Sequence, residues 1–231
     1  MEGGAAFAPG RPSDLPNISL VKEVEHLPYF LGAALLVNVL SIAMARGYQV
    51  GGKTLNDWYD SFGYEAVTVD LVSLVLLFIT GQAIYTQYVT PVYGWNPVYF
   101  VVILVLLQVL YDLALFYGVI NNVPTGQNAM IDLFKRYVQE NGTTALARDA
   151  LLMIGSVMCA FGLLSVSTEA AAFVSLLAVY ALPYVLNSKM MEKKTVAPPK
   201  EDKEKKEEPQ QGQRNSWDPP VPQVQSSKPW L

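Results

Sequence analysis

The sequence predicts an all-α fold: a polytopic membrane bundle of about five transmembrane helices, one amphipathic helix at the inner interface, and an extended, disordered C-terminal arm. Three observations carry this. Of 231 residues, 52% are hydrophobic and only 16% charged, against about 25% charged in an average soluble domain. The charge is also displaced, because nine of the 16 Lys and Arg follow Asn187 (Lys189, Lys193, Lys194, Lys200, Lys203, Lys205, Lys206, Arg214 and Lys228). The apolar residues of the front part fall in runs close to the roughly 20 residues needed to cross about 30 Å of hydrocarbon at 1.5 Å per residue. Such runs lack the alternation of barrel strands, and the second and third lack the polar face of a soluble helix.

Taken in order, residues 1–27 are expected to be a flexible N-terminal segment, rich in Gly, Ala and Pro at its start and with no basic, cleavable leader. The bundle is expected over residues 28–186. Its first span covers 28–45, with Asn38 and Ser41 as polar members. The second covers about 67–85, the third about 98–120, the fourth about 145–166, and the fifth about 170–186 with Pro183 inside it. The last two are separated by so few residues that they form a tight helical hairpin. Gly32 and Gly162 are candidates for close helix packing. Arg46 and Lys53 follow the first span, and Lys135, Arg136 and Arg148 lie between the third and fourth or at the start of the latter. Residues 86–97 and 167–169 carry no Lys or Arg. The positive-inside rule then predicts an outer N-terminus and an inner C-terminus.

Aromatic residues mark both interfaces. Tyr85, Tyr88, Tyr93, Trp95 and Tyr99 form an outer belt, and Trp58, Tyr59, Phe62 and Tyr64 an inner one. Between the third and fourth spans, Met130, Ile131, Leu133, Phe134, Tyr137 and Val138 recur at helical spacing, opposite Asp132, Lys135, Arg136, Gln139 and Glu140. Asn128 is placed to cap this helix and Gly142 to end it. It lies in the inner interface or packs on the bundle as an inner-loop helix.

The arm, residues 187–231, mixes Lys, Glu, Pro and Gln and cannot bury enough surface to fold alone. Its end changes character: Trp217, Pro219, Pro220, Pro222, Trp230 and Leu231 give an extended segment with aromatic anchors. These six are the candidate partner-binding residues.

Several chemistries are excluded. One cysteine, Cys159, allows no intrachain disulfide, CxxC pair or thiolate metal cluster, and one histidine, His26, rules out a histidine-box di-iron site. No catalytic, cofactor or metal site is expected, no basic stripe points to nucleic acid, and no enzyme is expected. Gly51-Gly52-Lys53-Thr54 ends like a phosphate loop but lacks the first glycine and the preceding strand. Acidic residues within spans are costly and mark candidate sites. Asp112 lies deepest, with Gln108 one turn away, and Asp70, Arg148 and Asp149 fall in the same inner half. The structural expectation is an intramembrane polar pair of Asp112 with Arg148, supported by Gln108 and beside Asp149. The functional alternative is a small ion- or proton-coupled transporter or channel using Asp112.

Residues 111–158 read YDLALFYGVINNVPTGQNAMIDLFKRYVQENGTTALARDALLMIGSVM. Asp112 with Phe116-Tyr117, the turn Val123-Pro124-x-Gly126, the run Asn128, Met130, Asp132, Phe134, Lys135 and Tyr137, and Asp149 opening the next span form one pattern. In this pattern the stretch resembles multi-pass membrane proteins of large DNA viruses of algae, the chlorella viruses and their relatives. The resemblance covers about a fifth of the chain. It implies a structural protein of the virion, a minor capsid component of the inner membrane that ties the lipid bilayer to capsid proteins, and it transfers no catalytic residue. The arm argument leads independently to a capsid or other virion protein as partner. A homo-oligomer is compatible with either reading.

Overall fold

The computed structural model describes residues 15–20 and 24–188. The expectations for the arm, with Trp217, Pro219, Pro220, Pro222, Trp230 and Leu231, fall outside these residues. The described chain is helical: α1 (Leu27–Tyr48), α2 (Gly52–Ile84), a π-helical turn (Tyr85–Val89) leading into the short α3 (Thr90–Tyr93), α4 (Pro97–Gly118), α5 (Ala129–Asn141), α6 (Thr143–Leu164) and α7 (Thr168–Leu186). Five helical stretches are long and apolar enough to cross a membrane. Large apolar side chains such as Leu40, Leu76, Leu106, Leu110, Leu151, Phe173 and Leu176 face outward. That surface would aggregate in water and is at home in lipid. The protein is a polytopic, all-α membrane bundle.

Local chemistry sets the helix ends. Asn96 caps α4 by accepting from the N–H of Val98 (2.9 Å) and Tyr99 (3.4 Å), with Pro97 at the first turn. Asn128 does the same for α5, accepting from Met130 (2.9 Å) and Ile131 (3.1 Å). Gly142 stops α5 at φ 54°, a conformation that needs a glycine. Pro91 has no N–H to offer the preceding turn, and the chain widens into the π-helical turn immediately before it.

Several sequence expectations change. α2 begins at Gly52, about 15 residues earlier than its apolar run. It is bent at Gly63 (φ 46°, ψ −117°), which separates a polar N-terminal segment from the apolar segment. Trp58 and Tyr59 are therefore buried rather than at the interface. The outer belt likewise loses Tyr85, which is fully buried while Tyr88, Tyr93 and Tyr99 stay exposed. Tyr85 OH accepts from the N–H of Asn96 (2.8 Å) and lies 3.0 Å from the Gly94 carbonyl, closing the outer turn.

Residues 15–20, read from composition as part of a flexible segment, are pinned to the end of the bundle that carries Trp95. Gln82 Nε2 donates to the Ile18 carbonyl (2.7 Å), Thr86 Oγ1 to the Ser19 carbonyl (2.7 Å) and Trp95 Nε1 to the Leu15 carbonyl (3.0 Å), with the Ile18 side chain buried beneath.

The core has two parts. At the Trp95 end Phe30 stacks on Phe78 (centroids 3.9 Å, 9°), Phe78 meets Phe100 edge-on at 5.8 Å, and Trp95 and Phe161 extend the cluster. At the basic end Leu55, Trp58, Tyr59, Leu133 and Tyr137 pack α5 onto the polar segment of α2, with Leu182 and Leu186 of α7 in the same cluster. Gly32 lets α1 approach α7, because a Cβ there would lie 2.2 Å from Ser175 Oγ. Gly162 meets nothing within 4 Å, and the close approach of α2 to α4 is made instead at Gly81, against Leu104.

Candidate functional site

The sequence-predicted polar residues sit at the basic end, but in different partnerships from those expected. Arg148, on the second turn of α6, points to α1 and α2. Its Nη2 donates to Tyr59 OH (2.9 Å) and Ser41 Oγ (3.2 Å), and its Nη1 lies 3.5 Å from Asp149 Oδ1. One guanidinium thus binds three helices through its several donors. The Asp112–Arg148 pair is not formed. Asp112 takes its bond from its own helix, where Gln108 Nε2 donates to Oδ1 at 2.9 Å. One turn of α-helix brings these two side chains together, while the guanidinium is held by the hydroxyls of Ser41 on α1 and Tyr59 on α2.

A cavity of about 70 Å³ lies between α2, α4 and α6. Asp70, Ser73, Gln108, Tyr111, Asp112 and Asp149 line it, with Phe134 of α5 in its wall. Carboxyl groups from three helices therefore line one partly open space. Among the described residues no group of three His, Cys, Asp or Glu side chains is arranged to hold a metal ion.

A second buried cation closes the basic end of the bundle. Arg46 Nη1 donates to Asn56 Oδ1 (3.3 Å), and Nη2 donates to the Leu186 carbonyl (3.0 Å) and pairs with Asp60 at 2.7 Å. Its side chain is 4% exposed. Asn56 in turn donates to the Ala45 carbonyl (3.3 Å), so α1, α2 and the end of α7 are joined at one point. Sequence patterning treats Arg46 only as a marker of topology, and nothing in its spacing announces Leu186 as a partner.

The glycine-lysine-threonine run has a use inside the molecule. It forms the N-terminus of α2, and its N–H groups grip Glu140 of α5: Lys53 N at 3.0 Å, Thr54 N at 2.9 Å, and the Thr54 hydroxyl as well. A helix N-terminus attracts an anion through its free N–H groups and dipole. Here the anion is a side chain of the same protein. The Thr54 hydroxyl, then the Thr54 and Lys53 N–H groups, hold the Glu140 carboxyl below the usual glutamate range. A group whose folded pKa is depressed adds stability that is present above its unfolded value, about 4.3, and is lost as pH falls through the folded value. The clasp is thus expected to hold at neutral pH and to open in acid. Glu140→Gln should raise hydrogen exchange at Lys53 and Thr54 at pH 7, and the two proteins should converge only in acid, as pH falls through the depressed pKa of Glu140. Equal exchange at pH 7 would show that the clasp adds nothing.

The chain matches no family model, no curated protein and no solved structure. Function must therefore be argued from its own residues.

Proposed function

We propose that this chain is a structural membrane protein of a viral particle, whose bundle holds the lipid membrane and whose C-terminal arm binds capsid proteins. The resemblance over residues 111–158 supports the viral setting, and the Trp- and Pro-bearing end of the arm supports a protein partner. The observation that carries the tether is Arg46. The arm follows Leu186 in the sequence, and the Leu186 carbonyl accepts from a guanidinium that also holds α2. A tether needs its point of departure fixed to the body that anchors it, and here that point is fastened to two other helices. The rest of the bundle fits this role: an aromatic core at the outer end, a braced basic end, and a broad apolar surface for lipid.

Cross-linking mass spectrometry on native particles or membranes tests this directly. Links from Lys200, Lys203, Lys205, Lys206 and Lys228 are expected to run to a few shell proteins. Replacing Trp217 and Trp230 by Ala should weaken that association, each anchor being worth about 2 kcal/mol when buried in the partner. Capsid association that is unchanged in the double variant would refute the tether.

A further inference from the structure

The segment pinned beneath Trp95 holds the triplet Asn17-Ile18-Ser19, an Asn-x-Ser sequence of the kind that accepts an N-linked glycan. Asn141-Gly142-Thr143 is another. Such triplets arise by chance, so sequence alone does not separate the two. Their geometry does.

Asn17 is half-buried, and its carboxamide is oriented through its oxygen. Oδ1 accepts from the Ser19 N–H (3.1 Å) and from Ser19 Oγ (2.7 Å). Ser19 and Ile18 are fully buried, so the oxygen is turned toward the bundle. Nδ2, the atom that would carry a sugar, makes no hydrogen bond to a described residue and is not buried. The bonds that fasten this segment, from Gln82, Thr86 and Trp95, all go to backbone carbonyls and leave the Asn17 side chain alone. A substituent on Nδ2 therefore displaces none of these contacts. Asn141 differs. It is the last residue of α5, and its Nδ2 donates to the Tyr137 carbonyl (3.1 Å), so the same atom is engaged with its own helix.

The two triplets also lie at opposite ends of the bundle. Residues 1–26, 86–97 and 167–169, which belong with the Trp95 end, hold two basic residues, Arg11 and Lys22. The other end holds Arg46, Lys53, Lys135, Arg136 and Arg148 even before the arm. Basic residues gather on the cytoplasmic side, and N-linked glycans are added on the opposite one.

We propose that Asn17 is an N-glycosylation site and that Asn141 is not. The sugar donor is a polyisoprenyl-diphosphate oligosaccharide, and a membrane transferase of the host supplies the catalysis. A bond forms between Asn17 Nδ2 and the anomeric carbon of the sugar, while the bond from that carbon to the diphosphate oxygen breaks. Nδ2 gives one proton to a base of the transferase, and the polyisoprenyl diphosphate leaves with the electron pair. Transfer takes place on the extended chain during synthesis, before Ile18 and Ser19 are buried. Ten residues lead from Asn17 to the start of α1 at Leu27, a reach of about 33 Å at about 3.3 Å each, which carries the acceptor clear of the bilayer. The site depends on the membrane bundle and its orientation, not on the tether, and stands or falls without it.

The full-length chain is made in insect cells, and the solubilised membranes are treated with peptide-N-glycosidase. A single step down in apparent mass is expected. It should be lost in Asn17→Gln and in Ser19→Ala and kept in Asn141→Gln, so that occupancy falls from one glycan per chain to none in the first two alone. Release in heavy-oxygen water should label the Asn17 peptide. No step in the parent overturns the proposal, as does a step that survives Asn17→Gln. A step lost only in Asn141→Gln overturns it and reverses the orientation of the bundle. Because transfer precedes folding, the readout does not depend on the variants folding.

Discussion

Replacing Arg148 by Met is expected to destabilise the bundle by about 3–5 kcal/mol, the usual result of removing one member of a buried ionic network. The guanidinium is 16% exposed and makes the hydrogen bonds that join α6 to Ser41 of α1 and Tyr59 of α2. Its loss leaves two hydroxyls without their donor and leaves the Asp149 carboxylate without its neighbouring cation. A second substitution separates the two costs. Arg148→Met with Asp149→Asn removes the stranded charge as well, and part of the stability should return. Arg148→Lys should fall between, because a single ammonium cannot reproduce the guanidinium fork. Thermal unfolding of detergent-solubilised protein, followed by loss of the monodisperse size-exclusion peak, reads all three. If Arg148→Met melts with the parent, the guanidinium contributes no net stability and its contacts are incidental.

Phe78→Ala is expected to cost a similar amount, about 3–5 kcal/mol, by another route. Phe78 is fully buried, stacked on Phe30 from α1 and edge-on to Phe100 from α4. Removing its ring leaves a void that three helices border. Lipid tails offer little hydrophobic incentive for helices to associate, so packing is the main source of cohesion inside a bilayer and a void is felt directly. Phe78→Leu retains much of the volume and should lose well under half as much. The same melting assay applies. A small loss in Phe78→Ala would mean that the outer core collapses around the gap.

The membrane spans were legible because each is a long apolar run, and the fold class needs little more than their length. α5 was legible to the residue: its amphipathic period, its Asn128 cap and its Gly142 stop all act locally, and the structure places them where the spacing does. Long-range pairing was not. Asp112 and Arg148 lie in the same inner half and carry opposite charge, yet an acceptor one turn away and two hydroxyls from other helices capture them first. The polar start of α2 was hidden because Gly51-Gly52-Lys53-Thr54 reads only as an incomplete phosphate loop, while the helix it begins is completed by Glu140, 86 residues from Thr54. Residues 15–20 carry no helical or strand pattern, and their order comes from side chains of α2 and the outer turn reaching their carbonyls. In each case the missing information lay in a partner far along the chain.

The bond from Arg46 to the last carbonyl of α7 also has a mechanical meaning. A pull on the chain beyond Asn187 arrives first at Leu186, where three attachments, to α1 through Arg46 itself and to α2 through Asn56 and Asp60, meet on one side chain. The load crosses the single Leu186–Arg46 hydrogen bond and is divided only beyond it, among the attachments of Arg46 to α1 and α2. The buried Leu182 and Leu186 side chains lie in the same cluster and resist the same displacement. α7, short and interrupted by Pro183, would be the weakest helix to pull on alone; fastened in this way it shares its strain with the two helices at the start of the bundle.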